Sequence, residues 1–200
     1  MKNNDKHKVI IKSAEKLFLK GRFDEVTLDE VAKVAKVGKG TIYLHFRNKD
    51  DLFYQTILFG MDELIELLHN KLPENIPFKE KLFIMCKIIY DFFKSKKPII
   101  QMHHHILGKM LSVRSEKHKF FEALRKKLDA IISDVLSEGV ALDFIRTDID
   151  PSILSRFLIG MIRTSQGGPG SIYEDMPSVA TIVEIFLYGA KKPLDKSNIN

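Results

Sequence analysis

The most constraining feature of this 200-residue sequence is a pair of short helical patterns between residues 27 and 46. Thr27, followed three residues later by Glu30, predicts a capping box, in which each side chain bonds the backbone amide of the other residue. This arrangement defines where a helix begins. The helical pattern breaks over residues 36–38 and then starts again. We therefore expect two short helices joined by a tight turn.

Helical periodicity continues along the rest of the chain, and no alternating strand pattern accompanies it. Asn48 is expected to cap a long fourth helix, and Asp150-Pro151 to open a later one. Gly139 is expected to end the helix that precedes that opening. The sequence predicts an all-α fold of about nine helices, with the C-terminal helices at roughly 78–95, 98–112, 116–138, 151–165 and 177–190.

Positive charge is concentrated near the N-terminus. Residues 1–49 contain twelve basic and six acidic residues, which accounts for the whole net charge of +6. This distribution favours a polyanionic partner. No apolar stretch is long enough to span a membrane, no signal segment opens the sequence, and the single Cys86 offers no disulfide or CxxC pair. We expect a cytoplasmic protein with no membrane partner.

Residues 27–46 satisfy the physical needs of a helix-turn-helix, whose second helix lies in the major groove of DNA. Val31 and Ile42 are apolar and spaced to bury the inner faces of the two helices. Ala32 is small enough to let the helices cross closely. Gly40 lets the backbone of the second helix approach DNA. The segment therefore predicts a DNA-binding element.

The stretch from Thr27 to Leu52, TLDEVAKVAKVGKGTIYLHFRNKDDL, resembles the N-terminal signature of the TetR family of transcriptional regulators. One departure is Gly38, where many relatives carry a serine that would cap the helix. The resemblance implies an N-terminal three-helix DNA-binding domain and a larger helical domain for effector binding and dimerisation. We expect the first over residues 1–48, the second over 49–190 and a flexible tail over 191–200.

The same resemblance implies which residues contact DNA. Lys39 is the candidate for reading guanine, and Lys49 is the candidate for a phosphate anchor. The structural alternative is that Tyr43 and His45 pack between helices while the lysines are solvated. The predicted set comprises Thr27, Lys39, Gly40, Thr41, Tyr43, His45 and Lys49.

The last two long helices carry apolar stripes wider than one core face requires. Such stripes suggest a second surface to bury, most simply in a twofold dimer, and the resemblance favours that reading. The alternative is that both helices lie in the centre of the monomer. The predicted homodimer interface comprises Phe157, Met161, Ile182 and Phe186.

The middle helices are rich in aromatic and sulfur-containing side chains, and the resemblance places a ligand cavity among them. Such residues are also common in an ordinary core. An unknown small effector of apolar or aromatic character is expected. The predicted pocket residues are Phe83, Cys86, Tyr90, Met102, His103 and Phe120.

Three adjacent histidines, His103 to His105, suggest a metal site at first sight. Successive helical side chains point about 100° apart, so the three cannot converge on one ion, and no metal or cofactor is predicted.

We expect a non-enzymatic repressor that binds a palindromic operator in double-stranded DNA and is released by its effector. The alternatives are a DNA-associated protein gated by a protein partner and a helical metal-dependent enzyme using the histidines.

Overall fold

The computed structural model describes residues 3–102, 116–167 and 177–190, and within these ranges it contains helices and no strand. The predicted all-α class is confirmed. The helices are α1 Asn3–Phe18, α2 Leu28–Ala35, α3 Lys39–His45, α4 Lys49–Lys71, α5 Phe78–Ser95, α6 with residues 97–102 described, α7 Glu116–Ala141, α8 Pro151–Thr164 and α9 Val179–Ala190.

The chain forms two compact units. The first comprises Met1–Glu63 with Ser95–Leu124, and the second comprises Leu64–Lys94 with Arg125–Asn200. The helix-turn-helix belongs to the first unit, whereas α8 and α9 belong to the second. The expected boundary near residue 48, between a DNA-binding domain and an effector-binding domain, remains a prediction.

The core of the first unit surrounds a cluster of aromatic rings. Phe18 of α1 and Phe53 of α4 meet edge to face, with ring centroids 4.9 Å apart. Ile42 and Phe46, on α3 and just after it, are 0% and 1% exposed and join the same cluster. Aromatic pairs of this geometry stabilise a core beyond their buried area. The packing holds the short α3 against the longer helices of its unit.

An ion-pair network lies beside this core. Lys96, at the junction of α5 and α6, pairs with Glu15 of α1, and its Nζ lies 3.1 Å from Oε2 of Glu63 on α4. Lys12 adds a second cation, with its Nζ 2.8 Å from Oε1 of Glu63. The network connects three helical segments of the first unit.

Two predicted helix starts are confirmed by their hydrogen bonds. The Asn48 side chain accepts from the backbone amide of Asp51 at 2.8 Å. The Asp150 side chain accepts from the amide of Ser152 at 2.8 Å, directly before Pro151. Each bond satisfies an amide that the first helical turn leaves without an intrahelical acceptor.

The prediction that Gly139 ends a helix is wrong, because α7 continues through it to Ala141. The glycine is needed for packing instead. A Cβ added at Gly139 would lie 2.3 Å from Cζ of Phe78, so only glycine lets that ring lie against the helix. Asp143, two residues after the end of α7, has a left-handed φ of 60°.

No helix in the described ranges is long and apolar enough to cross a membrane.

Candidate nucleic-acid interface

The start of α2 is set by the predicted capping box. The Thr27 hydroxyl accepts from the Glu30 amide at 3.2 Å, and Oε2 of Glu30 accepts from the Thr27 amide at 2.8 Å. The hydrogen bonds from Thr27 hold the pKa of Glu30 below its ordinary value. Thr27 therefore has a structural role, and its side chain is exposed at the beginning of the helix-turn-helix.

The turn between α2 and α3 depends on a lysine in an unusual conformation. Lys36 adopts the left-handed region at φ 55°, and its amide bonds back to the carbonyls of α2. Glycine is the residue that usually occupies such a helix end, because a Cβ is strained there. Gly38 then precedes α3 and, as expected from the sequence, supplies no side-chain cap.

The inner and outer sides of α3 differ sharply. Ile42 is fully buried, whereas Tyr43 is 53% exposed. A Cβ added at Gly40 would lie in open space, with no atom from another part of the described chain within 4 Å. Thr41 is half-buried beside them. The outer side thus presents an accessible backbone next to a large polar aromatic side chain.

Lys39 stands at the first position of α3 with its ammonium paired. Its Nζ lies 2.8 Å from Oδ1 and 2.9 Å from Oδ2 of Asp29 on α2. Both side chains are exposed, and the hydrogen bond to Asp29 raises the pKa of Lys39. Asp29 is not among the residues predicted from the sequence, although an acidic residue near the start of α2 was a visible signal.

His45 ends α3 in contact with a second histidine. Its ring centroid lies 5.7 Å from that of His7 on α1, and His7 stacks on Phe46. Nε2 of His7 also lies 2.8 Å from Oε1 of Gln55. Burial first, and then the nearby charges of His7 and Lys6, lower the pKa of His45. A neutral His45 can still donate one ring N–H to a phosphate oxygen.

Lys49 binds the chain segment that links α1 and α2. Its Nζ donates to the carbonyl of Phe23 at 2.9 Å and to that of Asp24 at 3.2 Å. The same ammonium lies 4.5 Å from the centre of the Phe23 ring. An ammonium has three donor hydrogens, so one remains beyond these two bonds.

The predicted effector residues are spread over both units. In the second unit, Cys86 is fully buried, Phe83 is exposed and Tyr90 is half-buried. Burial raises the pKa of the Cys86 thiol to about 12. In the first unit, Met102 packs against the core cluster, and Phe120 is 54% exposed.

His103 and the rest of the histidine run lie outside the described residues. Within the described ranges, no group of three or more histidine, cysteine or acidic residues is placed to hold a metal ion.

The predicted dimer residues differ in exposure. Phe157 is 66% exposed and Met161 is half-buried, whereas Ile182 and Phe186 are 3% and 4% exposed inside the second unit. Other exposed apolar side chains, outside the predicted set, also lie on α8 and α9. They are Ile153, Ile185 and Tyr188, at 44%, 57% and 76%.

Comparison with known proteins agrees with this geometry. Residues 10–56 match the family described as bacterial regulatory proteins, tetR family. The uncharacterized HTH-type transcriptional regulator YhgD of Bacillus subtilis is 33% identical over 98 residues, which is 49% of this chain and 51% of YhgD. The chain thus matches about half the length of that relative.

Solved structures share the fold over nearly the whole chain. The regulator FadR from Bacillus subtilis, solved with stearoyl-CoA, is 20% identical with a TM-score of 0.68 and covers 90% of this chain and 97% of its own. AibR, solved with isovaleryl coenzyme A and operator DNA, is 19% identical with a TM-score of 0.65 and covers 94% and 100%. At these identities the likeness establishes the fold alone.

The capped α2, the turn at Lys36 and the outward side of α3 form a helix-turn-helix, the class of element that the comparisons also indicate. More specifically, residues 10–56 of this chain match the N-terminal part that defines the bacterial regulatory proteins of the tetR family.

Proposed function

We propose that this chain is a ligand-responsive repressor that binds a palindromic operator as a homodimer. The observation that supports this proposal best is the outer side of α3. There the space around Gly40 is open and Tyr43 is half exposed, in the most basic part of the chain. A helix with these properties fits a major groove lined by phosphates. Its place of action would be the cytoplasm, where bacterial DNA lies.

The proposed DNA contacts divide into two kinds. Lys39 and Tyr43 would meet base edges or the groove backbone, and Lys39 would exchange Asp29 for its DNA partner. Lys49 would offer its third N–H to a phosphate while it holds the loop before α2. The full proposed set remains Thr27, Lys39, Gly40, Thr41, Tyr43, His45 and Lys49.

A second copy of this chain is the proposed partner for α8 and α9. Phe157 of α8 and Tyr188 of α9 are exposed on helices of the same unit, and Ile185 lies beside Tyr188 on α9. Burial of such side chains in a twofold interface is favourable, because apolar area is removed from water. Ile182 and Phe186 would support that interface from within the core.

The proposed effector is an acyl thioester of coenzyme A. FadR and AibR, which share the fold, were each solved with such a molecule. Its acyl chain meets the expectation of an apolar ligand. The effector would bind one arrangement of the dimer more tightly and thereby shift the population away from the DNA-binding arrangement. The long α4, which starts directly after the helix-turn-helix, would carry that shift.

The central test is selection of bound sequences from a random duplex pool by the purified protein at moderate salt. Enrichment of a palindrome is expected. The selected duplex is then titrated with isovaleryl-CoA and stearoyl-CoA, with free coenzyme A as the control. Release by an acyl-CoA and not by coenzyme A supports the effector class. Release by neither removes acyl-CoA from the proposal but leaves the DNA-binding function standing.

Two substitutions test the proposed DNA contacts. Tyr43→Ala should abolish operator binding while helical content and oligomeric state stay unchanged. Lys49→Ala should weaken binding to every sequence and reduce the slope of log K against log salt by about one unit per subunit. Lys127→Ala removes the same charge from the exposed surface of α7 and should leave the slope unchanged. Equal slopes for Lys49→Ala and Lys127→Ala would remove Lys49 from the phosphate contacts.

The proposed dimer can be tested by substitution of glutamate for exposed apolar residues of α8 and α9. Phe157→Glu and Ile185→Glu should each give monomers in sedimentation analysis, because a buried carboxylate without a partner is strongly unfavourable. Leu142→Glu is the matched control, since Leu142 is 58% exposed and lies outside α8 and α9. If the α8 variant and the α9 variant both remain dimeric, the exposed side chains of these helices do not form the interface.

A further inference from the structure

Leu44 has no structural role that explains a leucine at its position. Its side chain is 84% exposed, the highest value among the exposed large hydrophobic residues in the described part of the chain. The attachment of α3 to its unit comes instead from Ile42 and Phe46, which are 0% and 1% exposed. A polar residue at position 44 would therefore fit the fold equally well.

The surroundings of Leu44 make an apolar facet on the outer side of α3. Helical side chains lean toward the N-terminus and cover the preceding turn, which places Leu44 over Gly40. Gly40 has no side chain to compete for that space, and the space beside it is open. Thr41, three residues before Leu44, lies on the same side of the helix and is half-buried. We call Gly40, Thr41 and Leu44 the Leu44 facet.

The chemistry of the major groove limits what such a facet can recognise. Base edges there present hydrogen-bond donors, hydrogen-bond acceptors and the C5-methyl group of thymine. A leucine side chain can neither donate nor accept a hydrogen bond. The thymine methyl is therefore the base group with which Leu44 can make a favourable contact.

We propose that Leu44 is a specificity-determining residue that reads a thymine in each operator half-site through its C5-methyl group. This inference rests on the proposed function, because it requires α3 to lie in the major groove. Exposed leucines are common on protein surfaces and carry no such meaning elsewhere. Leu44 differs because it lies between Tyr43 and His45 on the helix that faces DNA in the proposed complex.

The test replaces each thymine of the selected operator by deoxyuridine, which removes the methyl group and leaves base pairing intact. One thymine in each half-site should be sensitive. Loss of one buried methyl contact corresponds to a weakening of about fourfold per half-site, and of about 15-fold when both half-sites are changed.

Variants then connect the sensitive thymine to Leu44. In Leu44→Ala the operator with thymine and the operator with deoxyuridine at that position should bind equally, while other thymines behave as in the wild type. Leu142→Ala also shortens an exposed leucine, and it should retain the wild-type difference. Selection with Leu44→Gln should enrich a different base at the same position, since glutamine can form hydrogen bonds with base edges.

The outcomes separate this inference from the proposed function. If the wild type enriches an operator but no thymine is sensitive, or if the sensitivity persists in Leu44→Ala, then Leu44 does not read thymine and the regulator function stands. If the wild type enriches no sequence, the proposed function fails and the reading of thymine fails with it.

Discussion

Replacement of Lys96 by methionine would test how much the ion-pair network of the first unit contributes to folding. The Lys96 ammonium pairs with Glu15 and lies 3.1 Å from Oε2 of Glu63. The side chains of Lys96 and Glu15 are 15% and 8% exposed, so the carboxylate of Glu15 has little access to water. Methionine keeps an unbranched apolar stem of similar length and removes the ammonium, with its charge and its hydrogen-bond donors.

The expected loss of stability follows from what remains around Glu15. Removal of one partner from a fully buried ion pair costs about 3–5 kcal/mol. Lys12 lies 3.7 Å from Oε2 of Glu15 and would compensate in part, although its own side chain is 42% exposed. We therefore expect the free energy of unfolding to fall by about 2–3 kcal/mol, at or below the lower end of the range for a fully buried pair. For a chain of this size, Tm should fall by about 4–12 °C.

The pH dependence provides a second readout of the same substitution. Burial acts to raise the pKa of Glu63, but hydrogen bonds and charges from Lys12 and Lys96 outweigh it and hold the pKa below its ordinary value. A carboxylate with a lowered folded-state pKa stabilises the protein above its unfolded-state pKa of about 4.3, and the contribution is lost as pH falls through the folded value. In Lys96→Met the pKa of Glu63 should lie closer to its unfolded-state value, so the part of the stability that is lost on acidification should be smaller than in the wild type.

The assay is urea unfolding followed by circular dichroism, at one protein concentration and at pH values from 7 downward. Lys94→Met is the matched control, because Lys94 is exposed near the end of α5. The double variant Glu15→Met/Lys96→Met should lose less stability than Lys96→Met alone, since the most buried carboxylate is removed together with its cation and Glu63 keeps Lys12. If Lys96→Met and Lys94→Met are equally stable, the network does not stabilise the fold.

Three further predictions concern the backbone and the thiol. Gly139→Ala should lower the free energy of unfolding by about 1–3 kcal/mol in the same urea assay, because its methyl would strike the Phe78 ring. Lys36→Gly should raise stability by up to about 1 kcal/mol because it relieves a left-handed lysine, and an unchanged or lower Tm would show that the lysine is not strained. Cys86 should react with a disulfide reagent only as fast as the protein unfolds, because its pKa of about 12 and its burial suppress the thiolate; rapid labelling of the native protein would contradict this.

The parts of the fold that could be predicted from the sequence are those that depend on near neighbours in the chain. Thr27 and Glu30 bond across three residues, and so do Asn48 and Asp51. Asp150, directly before α8, bonds to the amide of Ser152, two residues later in the chain. Such bonds involve so few neighbouring residues that residue type and spacing determine them.

The role of Gly139 could not be predicted, because it depends on a residue far away in the chain. Glycine near the end of a helical pattern usually marks a helix end. Here the ring of Phe78, 61 residues earlier, occupies the space that a side chain would need. The same limit applies to Ile182, because periodicity shows that α9 has an apolar stripe but not which part of it packs inside its own unit.

The electrostatics of the site show the same limit in a form that bears on function. Residue counts give the N-terminal segment twelve cations, but Lys39 is paired with Asp29 and Lys12 with Glu63. The lysine proposed to contact DNA differs from a structural lysine in the exposure of its ion pair. Lys39 and Asp29 are 59% and 62% exposed, so water and salt screen their attraction and the ammonium can exchange partners at little cost. Lys96 is held in a pair largely shielded from water, which would oppose such an exchange. The exposure of the Lys96 pair depends on how α1, α4 and the start of α6 pack together. It cannot be predicted from the order of charged residues along the chain.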